Sequence, residues 1–115
     1  MSEVVVVAIV TAAEGKSAQV EALVRTIIPP THAEDGCIKF ALHRDLDDPN
    51  RLVLVEMWTS REALDQHLAT EHLAVFRAQM LDVAGAPVQV LVMEALPEGD
   101  PTKGALAGVS TRRNG

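Results

Sequence analysis

Apolar positions change period several times along the chain, and each change marks an element. Val4 to Val10 is β-branched almost throughout, broken only by Ala8, and reads as a strand buried on both faces. From Lys16 the period becomes helical: Val20, Leu23, Val24, Ile27 and Ile28 recur at spacings of three and four, giving one apolar stripe. Pro29-Pro30 lacks backbone donors and restricts the residue before it, which predicts an end or a kink there. A short further turn through Thr31 to Asp35 then stops at Gly36. Cys37 to Leu46 and Arg51 to Thr59 follow as an antiparallel hairpin about the turn Asp47-Asp48-Pro49-Asn50.

In the second hairpin strand Leu52, Leu54, Glu56 and Trp58 point one way, and Val53, Val55 and Met57 the other. Ser60 is placed to cap a helix from Arg61 to Ala69, with Glu62 favourable in its first turn. Thr70 is placed to cap another, from Glu71 to about Asp82, with Leu73, Phe76 and Met80 as its inward stripe. After Gly85-Ala86-Pro87, Val88 to Glu94 alternates as a last strand, with Val88, Val90 and Val92 on one face and Leu91 and Met93 on the other.

The order β, α, β, β, α, β predicts an α+β fold, the ferredoxin-like split βαβ arrangement with a four-stranded antiparallel sheet and helices on one side. Helices in so short a chain cover one face of that sheet, yet the first, third and fourth strands are apolar on both. The uncovered face predicts a homodimer in which two sheets pack together. The regular pattern stops near Leu96, so residues 1–96 read as one domain. The Pro/Gly-rich stretch 97–115, with Leu106 and Val109 its larger aliphatics, reads as a flexible tail, with an arm across the partner subunit as the alternative.

Composition narrows the function. The chain of 115 residues is 48% hydrophobic and 23% charged, ordinary for a single globular domain, and its net charge of −6 opposes a phosphate backbone or an anionic bilayer. Neither nucleic acid nor membrane is an expected partner. Val4 to Val10 is too short to span a bilayer and follows Ser2-Glu3 rather than a basic leader, which reads as cytoplasmic. The single Cys37 reads as a small buried hydrophobe. No zinc-type Cys/His spacing occurs, and the separation of His67 from His72 is one residue more than a helical metal pair needs to share a face, so no metal site is expected.

Chemistry concentrates between Glu56 and His72, where the only tryptophan and two of the four histidines lie at a strand-to-helix junction. Imidazoles beside an aromatic wall suit proton transfer in an apolar pocket. Glu56 on an otherwise apolar face needs a partner or a cavity, and Arg77 is one available cation. Taken singly, Trp58 suits plain core packing, and either histidine suits a helix surface or a satisfied core. His32 and His43 read as structural or solvated.

The valine-rich first strand, Ala33-Glu34-Asp35-Gly36-Cys37, Asp47-Asp48-Pro49, Glu56-Met57-Trp58-Thr59-Ser60 and His67-Leu68-Ala69-Thr70-Glu71-His72, taken in this order, resemble the antibiotic biosynthesis monooxygenase family over roughly residues 3 to 96. The resemblance implies a dimeric α+β barrel with a cavity in each subunit. It also implies oxidation of quinol-like or polycyclic phenolic molecules by O2, commonly without flavin or metal. The chain lacks tyrosine, which some polyketide-oxidising relatives use to hold a phenol. It also lacks the first-strand asparagine of the haem-degrading branch, so haem is disfavoured.

Dioxygen is a triplet, so a cofactor-free enzyme must deprotonate its substrate, hold it and exclude water. His67, inward with Leu64 and Leu68, is the expected general base. His72 points about 140° away if the helix is continuous. It converges only if the chain bends at Thr70, and is then a second base or substrate partner. Trp58 is expected as a flat wall, with Glu56, Leu64 and Phe76 completing the substrate pocket. An isomerase or other proton-transfer enzyme using the same pocket, and a non-catalytic small-molecule-binding dimer, are the alternatives.

Overall fold

The computed structural model describes residues 2–106 of the chain; Val109 and the rest of the tail lie outside them. The elements are β1 (Val4–Thr11), α1 (Ser17–His32), β2 (Cys37–Arg44), β3 (Arg51–Trp58), α2 (Arg61–Leu68), α3 (Glu71–Met80) and β4 (Gln89–Met93). The sheet runs β2-β3-β1-β4 with every neighbouring pair antiparallel, the α+β ferredoxin-like arrangement that the element order predicts.

Pleat alternation sorts each strand into two sets. Val6, Ala8 and Val10 of β1 and Leu52, Leu54, Glu56 and Trp58 of β3 face the helices and are buried. Against them α1 sets Val20, Val24 and Ile27, α2 sets Leu64 and His67, and α3 sets Leu73, Phe76 and Met80. The opposite face carries Val7, Ile9, Val53 and Val55, only half-buried, with Leu91 and Met93 of the edge strand exposed. One end of it is covered, where Val5 and Met57 pack with Ile38 and Ala95. The described part of the tail turns on Asp100, whose Oδ1 accepts from Thr102 and Lys103 N–H, and returns beside Val5 and Met93.

Two local expectations are corrected. Helix α1 does not end at Pro29 and Pro30 but continues through them to His32, and the expected turn follows it, shifted toward Gly36, with Cys37 N–H donating to Glu34 O at 3.1 Å. The prolines forfeit only the bonds to the carbonyls of Arg25 and Thr26, residues on the solvent side of the helix where water serves them. The helix then reseals, Ala33 N–H donating to Pro29 O at 3.2 Å.

Gly36 is not a left-handed stop, for among the described residues positive φ occurs only at Gly15 and Gly99. A Cβ at Gly36 would stand 2.3 Å from Ala63 Cβ, so its small size lets the α1–β2 loop press against α2. Thr59 N–H donates to Gly36 O at 2.9 Å and fixes that approach.

Ser60 caps α2 as its type predicts, its hydroxyl accepting from Ala63 N–H at 3.1 Å. Thr70 sits at the start of α3, but its hydroxyl donates backward to His67 O, closing α2 rather than capping α3. The result is the bend between the two helices. No helix among the described residues is long and apolar enough to cross a membrane.

Candidate active site

Between the inner face of the sheet and the helices lies a cavity of about 620 Å³. Its floor is Val6, Ala8, Val10, Leu54 and Glu56, its far wall Phe40, and its roof Ile27, Leu64, His67, Leu73, Phe76 and Met80. The space exists because the central strand carries Ala8 between Val6 and Val10: a methyl group stands where a larger side chain would fill the layer. The mouth is framed by Leu81, Pro87, Val88 and Val90, with Arg77 among its lining residues.

His67 is 3% exposed and held on three sides. Its ring lies 4.5 Å from the Trp58 ring centre and 5.5 Å from that of Phe40. Its Nδ1 meets Glu34 Oε2 at 2.9 Å, and the same oxygen meets His72 Nε2 at 2.9 Å. With Nδ1 so engaged, Nε2 is the nitrogen left for a ligand. Burial pushes the His67 pKa below its ordinary value, while the Glu34 carboxylate pulls the other way. At neutral pH the imidazole is therefore neutral and able to accept a proton.

Glu56, 4% exposed, receives the Trp58 indole N–H on Oε1 at 2.9 Å. Desolvation pushes its pKa up to about 7; the Trp58 hydrogen bond opposes the rise and the negative charge of Glu34 adds to it. A carboxyl at that value exists near neutral pH both as an acid that donates and as a base that accepts. Arg77 is not its partner: the Arg77 Nη2 donates to Leu68 O, at the end of α2. Cys37, half-buried, has its thiol pushed up to about 11 by burial and stays protonated.

The structure thus gathers most of the expected residues and rearranges two. His67, Glu56, Leu64 and Phe76 all line the cavity. Trp58 does not form its wall: fully buried, it lies behind His67 and Glu56, its ring packed on the imidazole in the last turn of α2. His72 does not face the cavity either. It borders a shallow depression between α1 and α3 with Thr26, Val75 and Gln79, and is 24% exposed. The bend at Thr70 does let it converge with His67, but on Glu34 rather than on a substrate.

Glu34 is the residue that sequence reasoning missed. It sits in a loop, where no periodicity assigns direction, and the available signal was its place two residues before the glycine that lets this loop touch α2. The spacing argument against a metal pair assumed one helix, whereas the histidines lie on two. The ligand-type atoms of Glu34, His67 and His72 fall within 4.8 Å of one another, a two-histidine, one-carboxylate set of the kind that holds divalent transition metals. Here the same atoms satisfy one another by hydrogen bonds.

Comparison with known proteins gives one consistent result. Residues 3–79 match the family described as Antibiotic biosynthesis monooxygenase. Over 77 residues, 67% of this chain and 75% of the other, the sequence is 42% identical to Rv0793 of Mycobacterium tuberculosis, which carries the provisional name of a monooxygenase. The solved structure of Rv0793 superposes with a TM-score of 0.78 at 36% identity, covering 86% of this chain and all of that one. PA3566 of Pseudomonas aeruginosa superposes equally well, with a TM-score of 0.78 at 28% identity over 84% of this chain and 96% of its own. Fold, cavity and sequence agree, and the chain belongs to the antibiotic biosynthesis monooxygenase family.

Proposed function

We propose that the protein is a cofactor-independent monooxygenase of quinol-like or polycyclic phenolic molecules, with O2 as co-substrate. The observation that carries this reading is the posture of His67: a neutral imidazole at the wall of an apolar cavity, its inner nitrogen held by Glu34 and its ring packed on Trp58. The substrate hydroxyl gives its proton to His67 Nε2, and Glu34 stabilises the imidazolium that forms. The electron-rich phenolate passes one electron to O2 and the radical pair recombines, forming a carbon–oxygen bond. The proton returns to the outer oxygen, the O–O bond breaks, and the substrate carbon loses its hydrogen as a carbonyl forms. One oxygen atom stays on the ring and the other leaves as water.

Glu56 supports the same chemistry from the floor. With Oε1 occupied by Trp58, its second oxygen is available to donate to a substrate oxygen when protonated. Leu64 and Phe76 hold the rings, and the apolar lining keeps water from the reactive carbanion. His72 acts through Glu34, not on the substrate.

The working unit in this reading is residues 1–96 in the cytoplasm, paired with a second copy through the outer face of the sheet, where Val7, Ile9, Val53 and Val55 lack a covering layer. An oxygen electrode with reduced naphthoquinones and anthrones tests the activity. Uptake that is lost in His67→Ala supports the reading; tight binding with no uptake from any of them overturns it in favour of a binding protein.

A further inference from the structure

The cavity is electrically lopsided. Of its lining side chains only Glu56, His67 and Arg77 are polar, and they do not mix: Glu56 is at the buried floor, whereas Arg77 is an exposed residue beside the mouth residues Leu81 and Val88. Arg77 is anchored by one bond, Nη2 to Leu68 O at 2.6 Å, across the bend from α3 to α2. The guanidinium carries five N–H donors, so that bond fixes its position without exhausting it. Among the described residues it has no carboxylate partner, although the chain carries sixteen acidic groups against ten basic ones. Its positive charge reaches far enough inward to help lower the His67 pKa.

From this polarity we infer that the ligand is an aromatic molecule with an anionic substituent, a carboxylate or its equivalent, and that Arg77 is the residue selecting it. The inference rests on the cavity being the substrate site, as proposed above, and names the substrate class that site takes. The ring system enters first, since Phe76, Leu73 and Leu64 offer it apolar walls and Glu56 at the floor repels a second negative charge. The anion stays at the mouth, where a guanidinium binds a carboxylate through two parallel N–H bonds. The hydroxyl to be deprotonated is thereby pointed inward, toward His67.

Calorimetry on the intact chain at neutral pH tests this with 2-naphthoate and its methyl ester, which differ in charge and little in shape. The wild-type protein binds the carboxylate at least about tenfold more tightly than the ester, the scale of one charge-assisted pair. That preference weakens as salt is raised. Arg77→Met loses the preference while keeping the wild-type affinity for the ester, which shows the cavity intact, and Arg77→Lys restores part of it. Equal affinities in the wild type, a preference that survives in Arg77→Met, or binding of neither compound overturns the inference. Oxygen uptake from quinols without any charge preference would sink this inference alone. A clear charge preference in a protein that consumes no oxygen would sink only the oxygenase reading.

Discussion

The two faces of one sheet do opposite things with the same strands. On the inner face β1 and β3 present Ala8, a buried carboxyl and the only indole among the aliphatics; on the outer face the alternating residues are Val7, Ile9, Val53 and Val55, chemically uniform. The inner face is held open by a small residue and polarised by Glu56, whereas the outer one is apolar along β1 and β3, bordered by Lys39 and His43 of β2, and left half-covered. In the reading proposed above, the contrast is how a short chain separates the conflicting requirements of a site and an interface. Period-two alternation assigns every second residue to each, and a change on one face leaves the other's residues untouched.

The sharpest attempt to break that separation is Val55→Asp. A charge forced into a sheet-to-sheet interface costs several kcal/mol, so light scattering at micromolar concentration is expected to show a monomer, with naphthoate binding retained. Loss of binding would mean that the outer face helps to shape the cavity. On the inner face, His67→Ala is expected to lower quinol-dependent oxygen uptake by a factor of about 10² to 10⁴, the usual range for a general base, with the dimer unchanged.

Glu56→Gln sharpens the comparison through pH. In the folded protein Glu56 keeps its proton up to about 7, while the unfolded chain releases it near 4.5. The folded state thus binds more protons between those values, and stability falls as pH rises through that window, by up to about 3 kcal/mol. Glutamine preserves the acceptor for Trp58 and removes the slope. Denaturant midpoints should show the variant more stable than wild type above pH 7 and nearly equal to it near pH 4.5; parallel curves would refute the buried-acid account. The smallest effect is expected from His72→Ala, roughly a tenfold loss of uptake, because it loosens Glu34 without touching substrate. A loss as large as that of His67→Ala would make His72 a second base.

Much of this was legible in the chain because it depends on period. The strand and helix order, the inward stripes and the apolar outer face follow from spacings that burial enforces. What resisted was set by approaches between segments distant in sequence. Glu34 reaches two helices because Gly36 lets its loop sit against Ala63, a contact that no local pattern encodes. Trp58 looked like a wall because its strand face was known, but whether a residue on that face lines the space or lies behind its lining depends on which side chain α2 lays over it, here His67. Pro29 and Pro30 misled for the opposite reason: the local rule is sound, and the last turn of a helix tolerates its breach on the solvent side.

Trp58 being the chain's only indole has a practical outcome. Its emission comes wholly from a ring that touches the His67 imidazole and donates to the Glu56 carboxyl, the two groups proposed above to hold and move the proton. An imidazolium in contact with an indole quenches its fluorescence. A pH series on the unmodified protein therefore reads the protonation of the working pair directly, without label or substrate, and the site carries its own indicator dye.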